Sequence, residues 1–132
     1  ENYSNDFKKN KKEMIQSLGT LITFRNVLKF KRENRGELSE IEYTDYIQET
    51  HKVRNLNDTD KIVQEGFFNL EDIEITAPFD SVLQHHAFYR YRGNTYTITY
   101  IDSHEQQGET NFLRAFGKRV PRQQVRSEDA NE

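Results

Sequence analysis

Hydrophobic and polar positions change period several times along this chain. Over residues 1–18 apolar side chains are sparse, and Phe7, Met14, Ile15 and Leu18 are separated by seven, one and three positions. That spacing predicts a short amphipathic helix with Asp6 as its N-cap and Gly19 as its stop. From Thr20 to Lys31 the period drops to two. Ile22, Phe24, Leu28 and Phe30 alternate with Thr23, Arg25, Lys29 and Lys31, interrupted at Asn26 and Val27. β-Branched and aromatic residues at period two predict a half-buried strand. After a polar loop over Arg32–Gly36, Ile41 to Val53 reads as a second strand. Its alternation is weak, as in an edge strand or a long extended arm. Asn55 to Asp60 is loop by composition, with a helical turn possible after Asp58 or Asp60.

The second half is more strongly patterned. Asp72-Ile73-Glu74-Ile75-Thr76 predicts a short strand ended by Pro78, which has no N–H for a ladder. Ala87–Arg92 and Thr95–Ile101 flank Gly93-Asn94, a two-residue hairpin signature. Pairing Arg92 with Thr95 and Tyr91 with Tyr96 separates two faces. Tyr89, Tyr91, Tyr96, Ile98 and Tyr100 would form the core side. Phe88, Arg90, Arg92, Thr95, Thr97 and Thr99 would be exposed or interfacial. His104–Glu109 reads as a loop and Asn111–Val120 as a last strand.

The expected fold is mainly β: a small β-barrel or sandwich of about five to six antiparallel strands, with an N-terminal helix and a long loop. Its expected organisation is a polar, helical segment over residues 1–19, a barrel over 20–120 with a loop or arm at about 42–65, and a disordered tail over 121–132.

Composition narrows the function. The 132 residues suit one domain, but only 33% are hydrophobic and 31% are charged, with a mean hydropathy of -1.00. So polar a chain gains part of its stability from partners or spends much of its length in loops. With no cysteine, disulfides, thiolate chemistry and cysteine-based zinc sites are excluded. No apolar run approaches the roughly 20 residues that span a bilayer, so no membrane partner is expected. The net charge of -3 is segregated. Glu37 to Asp80 holds twelve acidic and three basic residues, which leaves +6 on the rest, at Lys8, Lys9, Lys11 and Lys12 and at Lys118, Arg119, Arg122 and Arg126. Basic ends on an acidic middle suit head-to-tail contacts between subunits, though they also describe a solvated surface with flexible tails.

Candidate chemistry is thin. His85-His86 are adjacent, so on a strand they would point to opposite faces and not chelate one ion. His51 and His104 are isolated. Asp102-Ser103-His104 holds the residue types of a triad without its geometry. Neither a phosphate loop nor a placed pair of carboxylates is readable. No catalytic, cofactor or metal site is expected, and the chain does not read as an enzyme. Arg90 and Arg92 beside tyrosines could make a stacking platform for single-stranded nucleic acid, but the derived faces separate the two residue types. Of Phe67-Phe68, after Gly66, one ring would be core and the other would meet a partner. The expected partner surface is Phe67, Phe68, Arg90, Arg92, Arg119 and Arg122.

Three stretches together resemble a family: Thr20-Leu21-Ile22-Thr23-Phe24-Arg25, then Gly66-Phe67-Phe68-Asn69-Leu70-Glu71-Asp72-Ile73-Glu74-Ile75, then Phe88 to Ile98. The sequence resembles the head-completion proteins (stopper, or head–tail joining) of tailed bacteriophages, in which an aspartate-led short strand precedes a "G-x-x-Y-x-I" hairpin. Asp72, Gly93, Tyr96 and Ile98 match, over a resemblance running from about Thr20 to Phe116. It implies a ring of copies, a dodecamer, in the virion neck, assembled in the host cytoplasm. The implied neighbours are a portal or adaptor protein and a tail-completion or tail protein. Packaged DNA would pass through without sequence-specific binding. The 42–65 segment would close the channel or reach between subunits, its acidity repelling phosphate. The rival expectation is a small nucleic-acid-binding β-barrel.

Overall fold

The computed structural model describes residues 3–32, 38–106 and 108–121. A helix, α1 (Tyr3–Leu18), leads into β1 (Thr20–Arg25), β2 (Val27–Arg32), β3 (Leu38–Tyr43) and β4 (Ile47–Asn55). A single helical turn, α2 (Lys61–Gln64), precedes β5 (Ile73–Pro78), β6 (Phe88–Tyr91), β7 (Asn94–Gln106) and β8 (Glu109–Arg119). Six strands close an antiparallel barrel in the order β1-β4-β5-β8-β7-β6, while β2 and β3 form a separate two-stranded ribbon. The mainly β barrel with an N-terminal helix is as expected.

Period-two positions fill the barrel. Ile22 and Phe24, Ile73 and Ile75, Tyr89 and Tyr91, and Tyr96 and Ile98 are all buried, two from each of four strands, and Ala115 joins them from β8. A second, outer cluster forms where Leu56 and Phe68 cover Phe116, with Ile62 and Val63 of α2 packed on it. Closure removes the edges of the barrel proper, though β7 runs past its pairing with β6.

Several boundaries differ from expectation. Thr20–Lys31 is two strands: β1 stays in the barrel, and β2 leaves it after Asn26. Ile41–Val53 also divides, at Thr44–Tyr46, into β3 of the ribbon and β4 of the barrel. The segment expected as a loop or arm over 42–65 therefore supplies a barrel strand and α2, and the projecting arm is β2–β3. β4 reads as weak because two of its inward positions are polar, Glu49 and the buried His51. Their hydrogen bonds, described below, replace the usual apolar side chains.

α1 begins before Asp6, which lies inside it. It lies against β8, β5 and β4, with Ile15 buried and Phe7 and Leu18 exposed. Lys8 and Lys12 stand 5.0 and 5.6 Å from the Phe79 ring centre, and Lys11 stands 4.7 Å from that of Phe112. These cation–π contacts with long apolar stems do much of what an apolar stripe would do. Gly19 ends the helix as expected, its N–H donating to Ile15 O at 2.7 Å. A Cβ there would lie 2.5 Å from Ile15 O and 2.7 Å from His51 O. Only glycine lets the helix end meet β4 this closely.

The β6–β7 hairpin forms, but its turn is Arg92-Gly93. Tyr91 pairs with Asn94 and Tyr89 with Tyr96. Both turn residues have positive φ, 50° and 79°, as a type I′ turn requires. The expected pairing is off by two residues, an even number, so Tyr89, Tyr91, Tyr96 and Ile98 still share the interior face. Tyr100 does not join them. A bulge between Ile98 and Tyr100 turns it outward, where its ring centre lies 5.9 Å from that of Phe116. Thr95, expected outside, is buried and accepts a hydrogen bond from Arg90 at 2.8 Å. β7 and β8 also run further than expected, into the His104–Glu109 stretch.

Candidate interaction surface

The register places two structures at the same end of the barrel. Arg25 pairs with Phe88, and Phe88 with Thr97. Past that level β1 continues into the β2–β3 arm and β7 continues towards Gln106. The turn Arg92-Gly93 lies at the opposite end.

The arm has a rigid root. Thr44 N donates to Asn26 O at 2.8 Å, and Asn26 N to Thr44 Oγ1 at 3.1 Å. The buried Asn26 side chain donates to Val82 O at 2.8 Å and accepts from Gln84 N at 3.1 Å. Arg25 donates to Thr44 O at 2.8 Å and stacks over Tyr46, 4.8 Å from its ring centre. The base of Tyr43 is braced edge-on against Phe88. Beyond this root, β2 and β3 pair only with each other. Leu28 is 66% exposed. A lone two-stranded ribbon is marginal in water.

The expected partner residues gather mainly at the far end. Phe68 is buried on Phe116, their ring centres 5.1 Å apart, whereas Phe67 beside it is 62% exposed. That one ring of the pair is core agrees with the pattern. Arg92 lies in the hairpin turn, 5.2 Å from the Tyr91 ring centre. Arg119 donates to Asn94 Oδ1 at 3.2 Å and faces Glu71 at 3.7 Å. Its backbone N–H binds the buried Asp72 carboxylate at 2.9 Å, and that carboxylate also takes Asn69 N at 2.8 Å. Arg90 is near the same end by register but half-buried, its guanidinium held by Thr95. Arg122 and the tail to residue 132 lie outside the described residues. Tyr89, Tyr91 and Tyr96 are buried, so they offer no stacking platform to nucleic acid.

Sequence reasoning missed the polar group inside the barrel. His51 is fully buried beside Phe24 and Tyr89, with ring centres 5.7 and 5.8 Å from its own, the three rings forming a triangle. Its Nδ1 hydrogen bonds Tyr89 OH at 2.9 Å and its Nε2 hydrogen bonds Glu49 Oε1 at 2.7 Å. The same oxygen accepts from Ser81 Oγ at 2.5 Å, and Oε2 from Val82 N at 3.0 Å. Burial works to raise the Glu49 pKa, but the hydrogen bonds from His51, Ser81 and Val82 hold it below the ordinary 4.5. Burial first, then the Glu49 charge, pushes the Tyr89 phenol well above its ordinary value. The order of this chain is serine, carboxylate, histidine. A histidine that does not touch the serine cannot take its proton, so the group is not arranged as a nucleophilic triad. It ties the 80s loop to β4.

A polar cleft of about 230 Å³ opens beside Glu49, between α1 and the barrel, lined by Lys12, Gln16, Thr50, Pro78 and Asp80. Among the described residues no group of three metal-ligating side chains occurs, and no helix is long and apolar enough to cross a membrane.

No family model matches the chain, and no curated protein does. Among solved structures, a chain of the "Virion of native gene transfer agent (GTA) particle" is similar at 14% identity and a TM-score of 0.48, covering 78% of this chain and 96% of that one.

Proposed function

We propose that the protein is a structural, non-catalytic subunit of a tailed-phage-like particle. In this reading it sits in the neck, where copies assemble into a ring between portal and tail as a head-completion, stopper or connector protein. The observation that carries the reading is the β2–β3 arm, a ribbon with a braced root and, among the described residues, no strand paired with it beyond its own two. Such a ribbon gains a stable environment only through assembly. The resemblance of the β1, Gly66–Ile75 and hairpin stretches to head-completion proteins supplies the setting. The proposed neighbours are further copies of this chain, a portal or adaptor protein at one end and a tail protein at the other, with DNA passing through the ring.

The test removes the arm and keeps the barrel. Val27 and Tyr43 are paired partners, so residues 28–42 can be replaced by a two-residue Asn-Gly turn. Particles carrying this variant are expected to show heads that lack tails or have lost DNA, by electron microscopy and by nuclease-protected DNA content. Full, tailed particles would remove the reading. Deleting 42–65 would not serve, because it takes out β4.

A further inference from the structure

Among the described residues, the arm and the distal part of β7 each have a side with no strand paired to it, and the chain keeps them apart. β6 pairs with β7 only from Asn94 to Thr97. Ile98 is taken by the 80s loop, its C=O by His86 N at 2.7 Å and its N–H by Ala87 O at 3.2 Å. Past Ile98, the side of β7 facing away from β8 has no strand beside it among the described residues. On its other flank the same loop binds Asn26 at the arm root, through Val82 and Gln84. The 80s loop is thus a wedge that stops a chain from laying its own arm on its own β7.

We propose that β2 of one copy pairs along Thr99–Glu105 of β7 in a neighbouring copy, so that the sheet continues from subunit to subunit. This rests on the assembly reading above and adds the surface that receives the arm. Three observations support a second copy as the occupant. Charge is complementary: β2, Val27–Arg32, contains three cationic residues and no acidic one, of which Lys29 also faces Glu42 of β3 at 3.8 Å, while the β7 edge carries Asp102 and Glu105, both exposed. Each side has an exposed apolar residue to cover, Leu28 at 66% and Tyr100 at 48%. Both elements start from the level of Phe88, so donor and acceptor stand at the same height on the barrel. A head-to-tail contact between surfaces at one height favours a closed ring over a rising filament. The lengths agree as well, since six or seven paired residues span about 20 Å on either strand. The competing role for lysines on an edge strand is to prevent pairing, and the test separates the two.

The chain has no cysteine, so introduced ones report alone. Leu28→Cys is mixed at high concentration with single variants from Tyr100→Cys to Glu105→Cys in a glutathione redox buffer, and heterodimer is read on non-reducing gels. Leu70→Cys, exposed at the other end, sets the background, and circular dichroism confirms that each variant is folded. Adjacent strands bring facing residues together with period two, so yields are expected to alternate along β7 well above background. Adding Asp102→Lys and Glu105→Lys to the β7 partner should lower those yields roughly tenfold. Background yields throughout, or yields without alternation, overturn the inference. Rings that still form without these crosslinks would leave the neck role standing and remove only this contact.

Discussion

Glu49 and His51 show what a single polar residue contributes here, and why it was illegible. In the sequence Glu49 and His51 are two apart, on one face of a strand, but their other partners, Ser81 and Tyr89, lie far along the chain. Two polar residues at inward positions also broke the alternation by which β4 would have been recognised. In the fold every one of these groups is satisfied. Removing the carboxylate charge leaves Ser81, Val82 N and His51 facing a weaker acceptor, so Glu49→Gln should cost about 1–3 kcal/mol, measured by urea unfolding at neutral pH. The pH dependence follows from the depressed pKa. The folded state holds Glu49 ionised below the ordinary 4.5, so its contribution is present above the unfolded value and lost as pH falls through the folded one. Wild-type stability should therefore fall on acidification below about pH 4.5, with the Glu49→Gln variant falling less steeply. Parallel acid limbs in the two proteins would count against this role.

At the scale of elements, the hairpin and β5 were legible because their apolar alternation is unbroken. Pro78 ends β5 as its chemistry requires. The hairpin turn was placed one step late because Gly93-Asn94 is the better known pair, whereas the fold uses Arg92 at positive φ. The arm was misplaced for a different reason. Asn26 reads as a flaw in one long strand, yet its side chain bonds Val82 and Gln84 and thereby directs the chain out of the barrel. Gly19 read simply as a helix stop. Its close approach to His51 O adds a packing requirement, and Gly19→Ala should destabilise the fold by about 1–3 kcal/mol in thermal unfolding, since backbone would have to move. Excising the arm is expected to do the opposite of what its size suggests. Asn26 and Thr44 already meet through backbone hydrogen bonding, so the barrel carrying an Asn-Gly turn in place of 28–42 should keep its unfolding midpoint within a few degrees, about 1 kcal/mol. A large fall would mean that the arm stabilises the monomer, against its reading as an assembly element.

Across the whole molecule, the basic and acidic segregation seen in the sequence does not map onto the two ends of the barrel: Lys11 of α1 lies over Phe112, level with His104 of β7, whereas Glu71 and Asp72 stand beside Arg119. One end carries the arm and the acidic β7 edge. The other carries Phe67, Arg92 and Arg119, with Asp72 fixing the backbone beneath Arg119. Sequence reasoning grouped Arg90 with this set because it shares a strand face with Arg92. The fold distinguishes it by burial: Arg90 is partly buried and bonded to Thr95, so reversing it would disturb the barrel as well as the surface. Arg92 and Arg119 are the cleaner probes. Their side chains are exposed, and an exposed pair such as Arg119 with Glu71 is worth about 0–1 kcal/mol. Arg92→Glu with Arg119→Glu should therefore leave thermal unfolding almost unchanged. If this end faces a neighbour in the neck, the same variant should fail to enter particles, as read by its amount in purified virions, while arm-dependent crosslinking between copies persists. Normal incorporation would make this end a solvated surface and leave the arm end as the sole point of attachment. Salt-sensitive oligonucleotide binding that disappears in the same variant would instead favour the nucleic-acid-binding barrel.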